Sequence, residues 1–163
     1  MGALTMLRDD SLCIASRTRA ASILSSPTKR AEFRYVISIG SPTEPPPAGL
    51  RNVATRLRLV FEDETTPMRG GPTRSDVERI VAFAGVVDFA AGGLLVHCQA
   101  GISRSAAAAV IVLAARSGPG AEREAAAFLR KRFPEVRPNR SMLELADEVL
   151  GTSGAMVAAW AGE

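Results

Sequence analysis

A chain of 163 residues fits one domain of the usual size, roughly 150 residues, and can bury a core without disulfide support. Its 47% hydrophobic and 23% charged residues exclude a disordered chain, and its two Cys and single His exclude a disulfide scaffold and an ordinary four-ligand zinc site. The net charge is +3, and 18 of the 20 cations are Arg, a bias that suits phosphate or carboxylate ligands through the planar guanidinium fork and that a GC-rich coding sequence explains equally well. No metal, cofactor, nucleic-acid partner or membrane partner is expected, and the cysteine usage suits a reducing cytoplasm. Arg8, Asp9 and Asp10 interrupt the apolar start before a signal-peptide core forms, and Met6 breaks the myristoylation pattern. No run approaches the roughly 18 uncharged apolar residues of a membrane span.

In chain order, Ser11 to Ala15 is a short apolar run read as the first strand, with Cys13 as a small buried hydrophobe at its end. Arg34 to Ile39 is rich in β-branched and aromatic residues, and Arg56 to Phe61 alternates cation and apolar like a half-buried strand. Between them, Ser41 to Gly49 holds four prolines and reads as a plain connecting loop. Ser75 and Glu78 form a capping box that opens a helix running toward Ala90. Leu94 to Cys98 reads as a buried central strand, and Ser103 to Arg116 as a helix apolar nearly all round, placed mid-molecule. Helices over Ala121 to Arg132 and Ser141 to Leu150 follow, the second with a Ser141/Glu144 box, Gly151 as its stop, and Asn139 before it as an N-cap or loop support. Trp160 reads as a packing anchor for the tail. The alternation predicts a single α/β domain over residues 1–163, its central, mostly parallel sheet of about four to five strands flanked by helices.

The segment that carries chemistry is Val96-His97-Cys98-Gln99-Ala100-Gly101-Ile102-Ser103-Arg104-Ser105. A Cys at the end of a buried strand, a short loop with Gly, and the first turn of a helix make an anion cup of inward N–H groups. Those dipoles favour a thiolate at Cys98, and Arg104 can return over the cup to hold two oxygens of a tetrahedral oxyanion. Cys13 and Arg19 repeat the spacing, but no Gly lies between them to let the backbone curl, so that pair is a decoy. His97 is no base for Cys98, because adjacent strand residues face opposite sides, so a Cys–His protease is rejected.

The run HCQAGISRS resembles the His-Cys-x5-Arg-Ser signature of the cysteine-dependent protein tyrosine and dual-specificity phosphatases. Phe61-Glu62-Asp63, residues 71–89 and RPNRSMLELADEVLG resemble a compact bacterial branch of that superfamily. The resemblance implies Cys98 as nucleophile, Arg104 as phosphoryl and transition-state ligand, and the amides of Gln99, Ala100, Gly101, Ile102, Ser103 and Arg104 as phosphate cradle. It further implies Ser105 as donor to the departing sulfur, and His97 as a support that fixes the loop by a backbone hydrogen bond. It also calls for an acid on a separate loop, and Asp63, 35 residues before Cys98, is the candidate, with Glu62 and Glu64 as alternatives. The expected substrate is a phosphorylated protein or small phosphomonoester. The absence of a cation between Cys98 and Arg104 argues against highly charged phosphoinositides. The competing readings are a phosphate-binding module without turnover and a rhodanese-like sulfurtransferase.

Overall fold

Four strands form one all-parallel sheet in the order β1-β4-β2-β3: β1 (Leu12–Ala15), β2 (Phe33–Gly40), β3 (Thr55–Val60) and β4 (Gly93–His97). The structure, a computed structural model, describes Leu4 and residues 7–162. β2 and β3 are neighbours both in the chain and in the sheet, and parallel strands so joined need a crossover of about a dozen residues or more. Residues 41–54 supply it with a single 3-10 turn at Leu50–Asn52 and no α-helix. Alternate residues of β4 serve opposite faces. Leu94 and Val96 join the larger apolar cluster, with Cys98 just beyond the strand, while Leu95 joins a smaller one with Ala20, Leu24 and Val36.

The smaller cluster is closed by α1 (Arg17–Ser25), which α2 (Pro27–Arg30) follows directly; neither is anticipated from sequence. In α1 only Ala20, Ile23 and Leu24 are buried, too short a stripe to stand out among Arg and Ser. On the larger face, α4 (Arg104–Ser117) is buried continuously from Arg104 to Ala114, as its apolar sequence requires. Around it lie α3 (Arg74–Ala84), α5 (Glu122–Arg132) and α6 (Arg140–Leu150). Among the described residues no helix is long and apolar enough to cross a membrane.

Both capping boxes differ from the sequence reading, while Asn139 is the N-cap it expected. The box on α3 is Thr73/Asp76 rather than Ser75/Glu78: Thr73 N–H donates to Asp76 Oδ2 at 2.8 Å and Asp76 N–H to Thr73 Oγ1 at 3.3 Å. Glu78 is thereby left on the helix surface, where it pairs with Arg74 at 2.9 Å. The helix also stops at Ala84, six residues short of Ala90, because Gly85 ends it and Asp88 then folds a turn on Ala90 N–H. On α6 the N-cap is Asn139, whose Oδ1 accepts from Met142 N–H at 3.0 Å, while Glu144 turns to Arg140 instead of closing a box with Ser141. Gly151 ends α6 in the left-handed conformation, as read. A last helix, α7 (Ala155–Ala161), is additional to the sequence reading. It carries Trp160, whose ring lies 4.6 Å under the Arg130 guanidinium of α5.

Candidate active site

β4 ends at His97, and Cys98 to Ser103 curl over the sheet's end before α4 begins at Arg104. Gly101 makes that curl feasible. Its φ is +74°, and a Cβ there would stand 2.6 Å from the Ala15 carbonyl carbon and 2.7 Å from Ser16 N, so a side chain is excluded on both grounds.

Hydrogen bonds from outside hold the loop's carbonyls outward. Cys98 O accepts from His97 Nδ1 at 3.2 Å, Gln99 O from Arg17 N–H at 3.1 Å, Ile102 O from Arg137 N–H at 2.8 Å, and Ser103 O from Asn139 N–H at 3.1 Å. Turning carbonyls outward turns amides inward, and the first turn of α4 adds its own N–H groups, since Ser103 makes no side-chain cap. The result is a cup of donors around Cys98, with Gln99, Ala100 and Ile102 exposed on its rim.

Cys98 is 2% exposed, with Sγ 3.1 Å from Ser105 Oγ. Burial pushes its thiol up, but the Ser105 side chain and the amides of Ser105, Gly101 and Ile102 outweigh that and hold it below the ordinary thiol value. Cys13 behaves oppositely: burial pushes its thiol up, and Arg19 and Arg132 offset this only in part. Cys13 sits within β1 rather than at its end and is half-buried rather than buried, because β1 is an edge strand.

Arg104 is 4% exposed, and its Nη1 donates to Phe61 O at 2.7 Å and to Ser41 Oγ at 3.3 Å. Its Nε is buried without a protein partner among the described residues, a donor suited to an oxyanion. The proline-rich segment is therefore more than a connector. Besides Ser41 beside Arg104, Pro45 O accepts from Arg17, and Glu44 O from Arg58.

Phe61 leads directly into the acidic triplet. Asp63 Oδ1 accepts from Ser103 Oγ at 2.7 Å and from Asn139 Nδ2 at 2.9 Å, so its carboxylate is tied to the loop that holds Cys98. Neither Glu62 nor Glu64 makes a side-chain bond to that loop among the described residues. Asn139 thus both caps α6 and supports the acid loop, its Nδ2 also reaching Glu64 O at 3.1 Å.

His97 faces away from Cys98, and besides Cys98 O it meets Ser38 Oγ through Nε2 at 2.6 Å. Burial depresses it most; the hydrogen bond to the Cys98 carbonyl opposes this, and the smaller effects of the Arg58, Arg17 and Arg104 charges add to the depression, to about 4, so it is neutral near pH 7. Ser38, Ser41 and Arg58 escape a sequence reading, since their partners lie on other strands or loops.

No family model and no curated protein matches the sequence. Solved structures do match. Human DUSP28 superposes with a TM-score of 0.67 at 23% identity, over 90% of this chain and 93% of its own. The human tyrosine phosphatase-like serine/threonine/tyrosine-interacting protein gives 0.69 at 20% identity, over 88% and 93%. DUSP15 gives 0.65 at 20% identity, over 92% and 90%. The chain has the dual-specificity phosphatase fold. In this phosphatase fold the Cys98 cup lies at the C-terminal end of a central strand, where α/β sheets bind ligands.

Proposed function

We propose that residues 1–163 form one metal-independent phosphatase domain that hydrolyses phosphotyrosine, or a related phosphoprotein or small phosphomonoester, through a cysteinyl-phosphate. The observation that supports this reading is the hydrogen bond from Ser103 to Asp63, which ties a carboxylate to the loop that carries the Cys98 thiol, held below its ordinary value, and the buried Arg104.

The Cys98 thiolate attacks phosphorus and the bond to the leaving oxygen breaks. Asp63, held through Oδ1, offers its other oxygen to carry the proton that the leaving group takes. Arg104 Nε and the loop amides hold the phosphoryl oxygens as charge redistributes over them. In the second step Asp63 takes a proton from water, the water oxygen bonds to phosphorus, and the P–S bond breaks toward a sulfur that Ser105 hydrogen-bonds. Phosphate leaves and the thiolate is restored.

The test is phosphate release from an aryl phosphate and from a phosphotyrosine peptide, with mass detection of phosphate on Cys98 after acid quench. Release with a trapped adduct supports the reading. Binding of phosphopeptide without release identifies a binding module, and turnover of thiosulfate identifies a sulfurtransferase.

A further inference from the structure

Arg58, Ser38 and His97 are register partners on β3, β2 and β4, so one rung of the sheet carries all three on the face opposite Cys98. They are joined in sequence. Arg58 Nη1 donates to Ser38 Oγ at 2.9 Å, Ser38 Oγ meets His97 Nε2 at 2.6 Å, and His97 Nδ1 meets Cys98 O at 3.2 Å. The ends of this series decide its direction. A guanidinium only donates and a carbonyl only accepts, so Nδ1 must carry the imidazole proton. A neutral ring then accepts at Nε2, and Ser38 must be the donor there while its lone pair receives Arg58. Every proton in the row points from the sheet edge toward Cys98, an arrangement in which each bond polarises the next.

Gly40 shows that the row is built. A Cβ on Gly40 would lie 2.4 Å from Arg58 Nη2 and 3.0 Å from Cζ, so the guanidinium occupies the space a side chain would take. Arg58 Nη2 also holds Glu44 O at 3.0 Å, which fixes its fork between the loop and Ser38. Around His97 the charged groups that act on it among the described residues are the cations Arg58, Arg17 and Arg104.

We infer that Arg58 is a positioning residue for Cys98: acting through Ser38 and His97, it fixes the imidazole tautomer that pulls the Cys98 carbonyl out of the cup and keeps the loop amides on the sulfur. The inference deepens the phosphatase reading and rests on it only for the use of the thiolate. Tautomer and thiol reactivity are measured without any phosphate ester.

The chain's single His makes nitrogen NMR of the 15N-labelled full-length protein unambiguous. In the wild type His97 should carry its proton on Nδ1, with Nε2 hydrogen-bonded, and should not titrate between about pH 5.5 and 8. Two variants break the row differently: Arg58→Met removes the guanidinium, and Gly40→Ala displaces it while keeping its charge. In both, the Nε2 resonance should move toward that of an unbonded nitrogen. The alkylation rate of Cys98 by iodoacetamide at pH 6, measured in a Cys13→Ser background, should fall roughly five-fold, with the rate recovered at high pH. A proton on Nε2 in the wild type overturns the inference, as do folded variants whose resonance and alkylation profile are unchanged. Absence of phosphate release alongside the expected NMR and alkylation results overturns the phosphatase reading and leaves the role of Arg58 standing.

Discussion

Asn139 Nδ2 lies 2.9 Å from Asp63 Oδ1, while the other end of the same amide caps α6 through Met142 N–H. One side chain thus couples the start of a helix to the acid loop, and the two roles are separable by substitution. Asn139→Asp keeps a good N-cap but sets a carboxylate against Asp63, whereas Asn139→Ala loses both contacts and about 1 kcal/mol of cap energy. Thermal unfolding should show Asn139→Ala as the less stable variant. Hydrolysis of phosphotyrosine should fall at least about ten-fold in both, with a smaller loss on an ester of an acidic phenol. Equal losses on the two esters would remove the link between Asn139 and proton donation.

Asp63 itself predicts a leaving-group dependence. A tyrosine-like oxygen needs a proton as it departs, and an acidic phenol does not. Asp63→Asn should therefore slow phosphotyrosine hydrolysis by roughly 10²-fold or more, affect the activated ester far less, and flatten the basic limb of the kcat/KM profile. Glu62→Gln and Glu64→Gln should behave like the wild type, since neither side chain bonds the Cys98 loop among the described residues. A larger differential in either Glu variant would transfer the role.

The two cysteines predict opposite reactivity. Cys98 is held low by Ser105 and loop amides, and Cys13 is pushed up by burial, so iodoacetamide near pH 6.5 should label Cys98 first. Cys98→Ser should abolish turnover and keep phosphate binding, and Cys13→Ser should retain most activity. Arg104→Lys should be severely impaired although its charge is kept, because a point charge cannot replace Nε and Nη in one plane. Turnover should survive excess EDTA. Loss on chelation, restored by zinc or magnesium, would overturn the mechanism.

The parts legible in the sequence are those whose determinants are contiguous. Strand, Gly-containing loop and apolar helix follow one another from Leu94 to Arg116, so local pattern places Cys98, Gly101, Arg104 and Ser105 without tertiary knowledge. The β3 alternation likewise separates Leu57 and Leu59 from Arg56 and Arg58. What pattern cannot supply is the partner across the sheet: Ser38 meets His97 only through the β2–β4 register, and Ser41, just past the end of β2, meets Arg104 across 63 residues of chain. Both misplaced boxes lie two residues past the cap that forms, Ser75 after Thr73 and Ser141 after Asn139, and local pattern offers both choices.

His97 predicts how stability depends on pH. Its folded value of about 4 lies below the ordinary 6.5, because burial and three Arg neighbours disfavour the imidazolium. Between those values the unfolded chain binds a proton that the folded chain does not, so stability falls as pH falls through that window. Above about pH 6.5 the contribution is complete, and below about pH 4 nothing further is lost. The loss between pH 7 and pH 5 comes to about 2 kcal/mol, an order-of-magnitude figure from the linkage relation. With one His in the chain, urea unfolding of the wild type at pH 7, 6 and 5 reads this slope directly. His97→Gln should be less stable at pH 7, since the amide reproduces the ring's two hydrogen bonds poorly, and its stability should be nearly flat across the same range. A slope that survives His97→Gln would assign it to other groups, and a wild-type stability that stays level from pH 7 to pH 5 would mean that folded His97 takes up a proton as readily as the unfolded chain does. The ring would then carry a proton on Nε2, and Ser38 would accept there instead of donating.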